Sequence, residues 1–325
     1  MATSSASASG ESKIELLAMT QPSPLLLPQL EGGYLVHEFQ GMAPERFAQV
    51  APRIRGVFGG GESVLPGDLI ARLPALEVVT IMGVGYDGVD VAAAKARGVP
   101  VTHTPDVLND DVADLALALM LGISRQLVQA DCHVRSGAWS REPLALGRKM
   151  SGARLGIVGI GRIGRGIARR AAAFDMKIAY TARNARAELP FTYFPNAVEL
   201  AAASDYLVVI TPGGAATRKL IGADVLRALG PDGILVNVAR GSVVDEAALI
   251  EALRSKTIAG AALDVFENEP NIDERLRELP NVLLTPHIGS ATFGTRQAMA
   301  DLVVANLRAH FAGQPLVTPV PECRG

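Results

Sequence analysis

Cysteine is nearly absent: 325 residues contain two, Cys132 and Cys323, far apart in sequence and without a His or Cys at metal-ligand spacing. That excludes a disulfide framework and a structural zinc cluster, and it suits a reducing cytoplasm. An excess of one charge is missing too. Thirty-one Lys and Arg face 33 Asp and Glu, a net charge of -2, so no basic surplus draws the chain to nucleic acid or an anionic membrane. Long apolar runs are lacking: the longest, Leu115 to Ile123, has nine residues, against about 20 for a transmembrane helix. The start, MATSSASASGESK, has neither the apolar core of a secretory signal nor the Arg of a transit peptide, and residues 1–12 are expected to form a disordered tail.

What is present is an alternation. Hydrophobic residues make up 49% of the chain, and short apolar runs alternate with helix-period segments almost throughout. This is the pattern of parallel sheets covered by helices on both faces, so the class is α/β. Strands are expected at Ile14 to Ala18, Tyr34 to Glu38, Gly56 to Phe58, Val78 to Met82 and Val99 to Thr102. From Asn109, with Asn109 or Asp110 available as cap, a long helix reads as the crossover into a second domain. Six strands follow there, at Arg154 to Ile160, Lys177 to Thr181, Tyr206 to Ile210, Ile234 to Val238, Ile258 to Leu263 and Val282 to Leu284. A last helix, roughly Gly294 to Phe311, carries a stripe of Met299, Leu302, Val303 and Leu307 that needs a surface to pack on and is expected to return to the first domain. The division is therefore 13–108 with 294–325, and 109–293 between them.

Gly159-Ile-Gly161-Arg-Ile-Gly164 directly follows an apolar strand and opens a helix, the context a dinucleotide fingerprint requires. The first glycine permits the turn, the second lets backbone N–H groups approach a pyrophosphate, and the third lets helix and strand pack closely. About 20 residues on, an NAD site would place an Asp or Glu for the ribose 2′-OH. Here the turn reads Thr181-Ala-Arg183-Asn-Ala-Arg186, a hydroxyl and two guanidinium groups suited to a 2′-phosphate. Between Gly161 and Pro190 seven basic residues face only Asp175 and Glu188.

Three further strands end in reactive side chains, where doubly wound sheets bind ligands: the segments around Arg240, around Asp264, Glu267 and Glu269, and around His287 and Ser290. With Gly159 to Gly164 and the earlier Met82-Gly-Val84-Gly85-Tyr-Asp87-Gly-Val-Asp90, they resemble the D-isomer-specific 2-hydroxyacid dehydrogenases, and among them the NADPH-dependent glyoxylate/hydroxypyruvate reductase branch. The resemblance covers about Lys13 to Pro319. It implies a Rossmann nucleotide-binding domain inserted into a smaller flavodoxin-like substrate domain, and a homodimer with Arg135 to Trp139 in the dimer arm.

It also implies roles. Arg240 would orient the substrate, Glu269 would pair with histidine, and His287 would donate the proton. Val84 and Gly85 would meet the substrate carboxylate through their backbone, joined in the substrate site by Arg240 and His287. The cofactor would be NADPH/NADP, with NADH weaker, held by Gly159, Gly161, Arg162, Ile163, Gly164, Thr181, Arg183, Arg186, Thr211, Pro212, Val238, Asp264 and Ser290; no metal is implied. The chemistry asks for these residue types independently. A planar guanidinium can grip carboxylate and carbonyl together, and the alkoxide left by hydride addition needs a proton that His can supply near neutrality. Glu267 and Glu269 are separated only by the family pattern, in which the acid precedes Pro270. His37, His103, His133 and His310 read as structural or surface side chains, and Gly59 to Gly61 leave one substrate-facing loop without side chains.

Other readings are an NAD-dependent enzyme of the phosphoglycerate dehydrogenase type and a dinucleotide-sensing corepressor on the same scaffold. The first commonly carries a regulatory domain for which 325 residues leave no room. The second would be expected to add a peptide-docking groove and a disordered tail.

Overall fold

A run of buried β-branched and aliphatic residues closed by Gly, Pro or polar side chains becomes a strand of a covered parallel sheet. Twelve such strands occur in the computed structural model, which describes residues 13–324; the expected tail over 1–12 lies outside the described residues. The chain divides into two units, one of residues 1–105 and 296–325, the other of residues 106–295.

The first unit holds β1 (Ile14–Ala18), β2 (Tyr34–Glu38), β3 (Ile54–Gly60), β4 (Val78–Met82) and β5 (Val101–Thr102). They pair in parallel in the order β2-β1-β3-β4-β5, the flavodoxin-like arrangement. Leu17, Val57, Val79 and Ile81 fill the core on one face, each worth roughly 1.5 to 3 kcal/mol when fully buried. The helix Phe293–Phe311 lays its apolar stripe against this sheet: a Cβ on Gly56 of β3 would stand 3.6 Å from Leu307. Met299, Val303, Val304 and Leu307 are the buried residues of that stripe, so Val304 takes the place expected for Leu302, which is half-buried.

The second unit holds β6 (Arg154–Val158), β7 (Lys177–Thr181), β8 (Thr192–Phe194), β9 (Tyr206–Val209), β10 (Ile234–Asn237), β11 (Gly260–Leu263) and β12 (Val282–Leu284). Their order is β12-β11-β10-β9-β6-β7-β8, all parallel. This is the doubly wound nucleotide-binding order with one strand added, and the direction of winding reverses between β6 and β9. The sheet has seven strands rather than the expected six, because β8 is a three-residue edge strand with an exposed first residue.

The crossover helix spans Asn109–Ser124, but neither Asn109 nor Asp110 caps it: the N-cap position is Leu108, without a side-chain cap. The two polar side chains are used elsewhere. Asn109 donates to Asp106, and Asp110 pairs with Arg169 at 3.0 Å and Arg170 at 2.9 Å. Asp114 also pairs with Arg170. These contacts dock the crossover helix on the helix Arg162–Ala172, where Gly166 allows close approach: a Cβ there would lie 3.2 Å from that of Ala113.

Candidate active site

The glycine loop sits at the reversal point of the seven-stranded sheet, between the carboxyl ends of β6 and β9. Gly159 has φ +103°, and a Cβ on it would press on the Ile210 carbonyl at 2.8 Å, so only glycine makes this turn without strain. A Cβ on Gly164 would collide with the Gly159 carbonyl oxygen, whereas one on Gly161 would meet nothing within 4 Å. Gly161 is the N-cap of the helix Arg162–Ala172, which has no side-chain cap and no acid in its first turn. Its first N–H groups therefore face open space with the positive end of the helix dipole behind them, and a pyrophosphate fits there. Arg162, at the first helical position, is exposed and paired with Asp106 at 2.9 Å; Ile163 is half-buried.

At the end of β7 the Thr181 carbonyl accepts the Gly159 N–H at 3.0 Å, joining the two loops expected to hold the cofactor. The following turn is tied by the buried Tyr180, whose hydroxyl accepts the Arg186 backbone N–H at 2.6 Å. Arg183 and Arg186 themselves are exposed. Among the described residues no carboxylate forms an ion pair with either guanidinium, and no acid stands at the end of β7, so a 2′-phosphate fits this turn as well. Thr211 and Pro212 follow β9, Val238 follows β10, and Ser290 lies in the loop after β12.

The same edge of the sheet carries the reactive side chains. His287 Nδ1 and Glu269 Oε2 stand 2.7 Å apart. The other oxygen of Glu269 accepts the Phe266 N–H at 2.8 Å, fixing the carboxylate in place. Burial pushes the Glu269 carboxyl up, but the hydrogen bond and charge of His287, the Phe266 N–H and the Arg240 charge outweigh it and hold the group below the ordinary carboxylate range. Glu269 is thus ionised throughout the neutral range, and the pair's contribution to stability is lost only as the pH falls through that lowered value. Glu267, the other acid of this segment, faces Arg218 at 3.6 Å instead.

His287 has φ +52°, a left-handed conformation that costs of order 1 to 3 kcal/mol and must be held by its surroundings. Asp264 holds it. Its backbone carbonyl accepts the His287 N–H at 2.9 Å, and its carboxylate accepts from Thr285 Oγ1 at 2.7 Å and from the N–H groups of Ile288 and Gly289, each at 2.8 Å. Burial dominates this carboxyl and raises it above its ordinary value despite those bonds. Asp264, expected from the resemblance to hold the nicotinamide side of the cofactor, also anchors the His287 loop.

Arg240 is placed by two residues that sequence reasoning missed or left unexplained. Asn237, buried at the end of β10, donates to the Arg240 carbonyl at 3.1 Å and accepts the Ala239 N–H at 3.1 Å. A polar residue closing an otherwise apolar strand was the signal available for it. Gly241 lies so close to Phe266 that a Cβ would overlap the Phe266 carbonyl, which brings the Arg240 turn against the segment carrying Glu269. In the other unit, Val84 and Gly85 follow β4, both half-buried.

The pair makes a pH prediction. In Glu269→Gln the charge that favours imidazolium is gone. The limb of the kcat profile on which the donor loses its proton should move to lower pH, and an unmoved profile would remove Glu269 as partner.

Comparisons with known proteins give the family. Residues 117–289 match the family described as D-isomer specific 2-hydroxyacid dehydrogenase, NAD binding domain. A hydroxyphenylpyruvate reductase of Plectranthus scutellarioides is 45% identical over 309 residues, covering 94% of this chain and 99% of that one. A glyoxylate/hydroxypyruvate reductase A of Arabidopsis thaliana is 48% identical over 267 residues, 82% and 85% of the two chains. Among solved structures, the NADPH-dependent glyoxylate/hydroxypyruvate reductase of Sinorhizobium meliloti, in complex with NADP and malonate, superposes with a TM-score of 0.89 at 46% identity, covering 96% of this chain and 98% of that one.

Proposed function

The chain belongs to the D-isomer specific 2-hydroxyacid dehydrogenases, and from that membership we propose that it reduces small 2-oxo acids, glyoxylate and hydroxypyruvate among them, to D-2-hydroxy acids with NADPH. The observation that carries the reading is the His287–Glu269 pair, 2.7 Å apart, at the same sheet edge as a glycine loop built for a dinucleotide. When bound, the nicotinamide supplies the hydride. The chain's own residues do the rest. Nδ1 of His287 is engaged with Glu269, so Nε2 is left to deliver a proton to the forming alkoxide. The ionised Glu269 stabilises the imidazolium that donates it. Arg240 presents a planar fork to the carboxylate and carbonyl of the substrate. The Val84–Gly85 backbone offers N–H groups to a substrate carboxylate. Gly159, Gly161 and Gly164, with Arg162 and Ile163 in the first helical turn, hold the pyrophosphate. Thr181, Arg183 and Arg186 hold the 2′-phosphate, and Thr211, Pro212, Val238, Asp264 and Ser290 line the remaining strand ends.

The partner we propose is a second copy of the chain. Trp139 is 71% exposed and Leu146 96%, and Val128 and Val134 on the helix Leu127–Arg135 are exposed too. Together they leave apolar surface that a partner subunit would cover. Among the described residues no helix is long and apolar enough to cross a membrane, and Cys132 and Cys323 are free thiols, which suits a cytoplasmic enzyme.

Steady-state NADPH oxidation with glyoxylate, hydroxypyruvate, pyruvate and hydroxyphenylpyruvate, followed by chiral analysis of the product, tests the reading. We expect turnover of the first two and D-glycerate from hydroxypyruvate. L-glycerate, or no turnover of any of the four, would overturn it.

A further inference from the structure

A backbone contact to a substrate carboxylate is only as good as the plane of the peptide that makes it. In the trans peptide joining Val84 to Gly85, the Val84 carbonyl and the Gly85 N–H lie in one plane and point in opposite directions. Whatever holds the carbonyl therefore aims the N–H. The holder is His103: its Nδ1 stands 3.0 Å from the Val84 carbonyl oxygen. Because a carbonyl can only accept, Nδ1 carries the proton, and it does so in both the neutral and the charged ring, so the hold does not depend on the charge of the imidazole. The residue after it continues the grip, since the Thr104 N–H donates to the Gly83 carbonyl at 2.9 Å. Two successive residues past β5 thus secure two successive carbonyls past β4. The Gly85 N–H has no acceptor among the described residues, which is the state a donor awaiting a ligand should have.

His103 is itself fixed from several sides. Only 7% of it is exposed. Its backbone N–H donates to the Thr318 carbonyl at 3.1 Å, and its carbonyl accepts from Thr318 Oγ1 at 2.5 Å. Its ring meets Tyr86 edge-on, with centroids 5.4 Å apart, and the Tyr86 hydroxyl donates to Glu322 at 3.0 Å. The C-terminal segment thereby anchors both the His103 backbone and the aromatic residue that follows Gly85.

We infer that His103 is a positioning residue for carboxylate recognition: by holding the Val84 carbonyl it turns the Gly85 N–H toward the carboxylate of the 2-oxo acid. This rests on the proposed 2-oxo acid reduction and adds a residue that acts through the peptide it holds. It has a signature that loosened packing would lack. The carboxylate is common to every 2-oxo acid, so loss of the hold should weaken all of them by the same factor, whatever their side chains.

The test is KM and kcat at saturating NADPH for glyoxylate and hydroxypyruvate, with the inhibition constant of oxamate, in wild type, His103→Ala, His103→Phe and His103→Asn. In the Ala and Phe variants both KM values and the oxamate constant should rise together, roughly ten-fold, the size of one lost hydrogen bond, with the KM for NADPH unchanged. His103→Asn, whose amide can still donate to the carbonyl, should recover most of the loss. If His103→Ala folds poorly, the Phe variant, which fills the space without a donor, carries the comparison with Asn. An active wild type whose KM values are unmoved in the donor-less variants, or move by different factors for the two acids, or are not recovered by Asn, overturns the inference alone. A wild type that reduces neither acid overturns the functional reading and the inference with it.

Discussion

Replacing His287 by Ala should lower kcat by about 10² to 10⁴, the usual cost of losing a general acid, which corresponds to roughly 3 to 5 kcal/mol of transition-state stabilisation. The loss should fall on kcat and leave NADPH binding intact, because the ring touches nothing that holds the dinucleotide. Its Nδ1 is committed to Glu269, and the loop around it is secured through the carboxylate of Asp264 by Thr285 and the N–H groups of Ile288 and Gly289. Truncation at Cβ removes the imidazole and leaves those bonds in place. Two measurements check this: the kcat of His287→Ala with glyoxylate, and the Kd for NADPH by fluorescence. A variant keeping more than half the wild-type kcat would sink the assignment. One that lost NADPH affinity in parallel would show that the loop had collapsed.

The parts of this site that a sequence reveals are those carried by local pattern. Buried parallel strands are short runs of aliphatic residues, and β1, β2, β4, β7 and β12 fall at the bounds their composition predicts. The edge strand β8 escapes because its three residues, Thr192, Tyr193 and Phe194, include no aliphatic side chain and are flanked by Pro190 and Pro195. The glycine loop is legible because each glycine answers to a different constraint within six residues. What stays hidden is every relation between distant residues. Glu267 and Glu269 are chemically alike, and only the fold turns one toward His287 and the other toward Arg218. Asp264 is legible as an acid at a strand end, but the donors to its carboxylate, more than 20 residues away, are not. His103 reads as an ordinary buried histidine, and its partner Val84 lies 19 residues earlier. Nothing in the spacing announces that pair.

Cofactor choice should show the second large effect. A 2′-phosphate carries nearly two negative charges, which an acid at the end of β7 would repel. Thr181 stands there instead, its carbonyl tied to Gly159 at 3.0 Å, and the exposed Arg183 and Arg186 follow in a turn pinned through Tyr180. With no ion pair among the described residues to break first, either guanidinium can turn to a phosphate at little cost. Each charge-assisted contact is worth roughly 1.5 to 3 kcal/mol, a factor of about 10 to 100. Two of them, discounted for exposure and screening, predict NADPH favoured over NADH by on the order of 10² in kcat/KM. The preference should shrink as salt is raised, since both arginines are in contact with solvent. Thr181→Asp combined with Arg183→Ala should reverse much of it, because the change removes one attraction, adds a repulsion and supplies a partner for the ribose 2′-OH. The ratio of kcat/KM for the two cofactors in the wild type decides the matter. If NADH serves equally well, the basic turn is a solvated surface, and Arg183 and Arg186 have no part in cofactor selection.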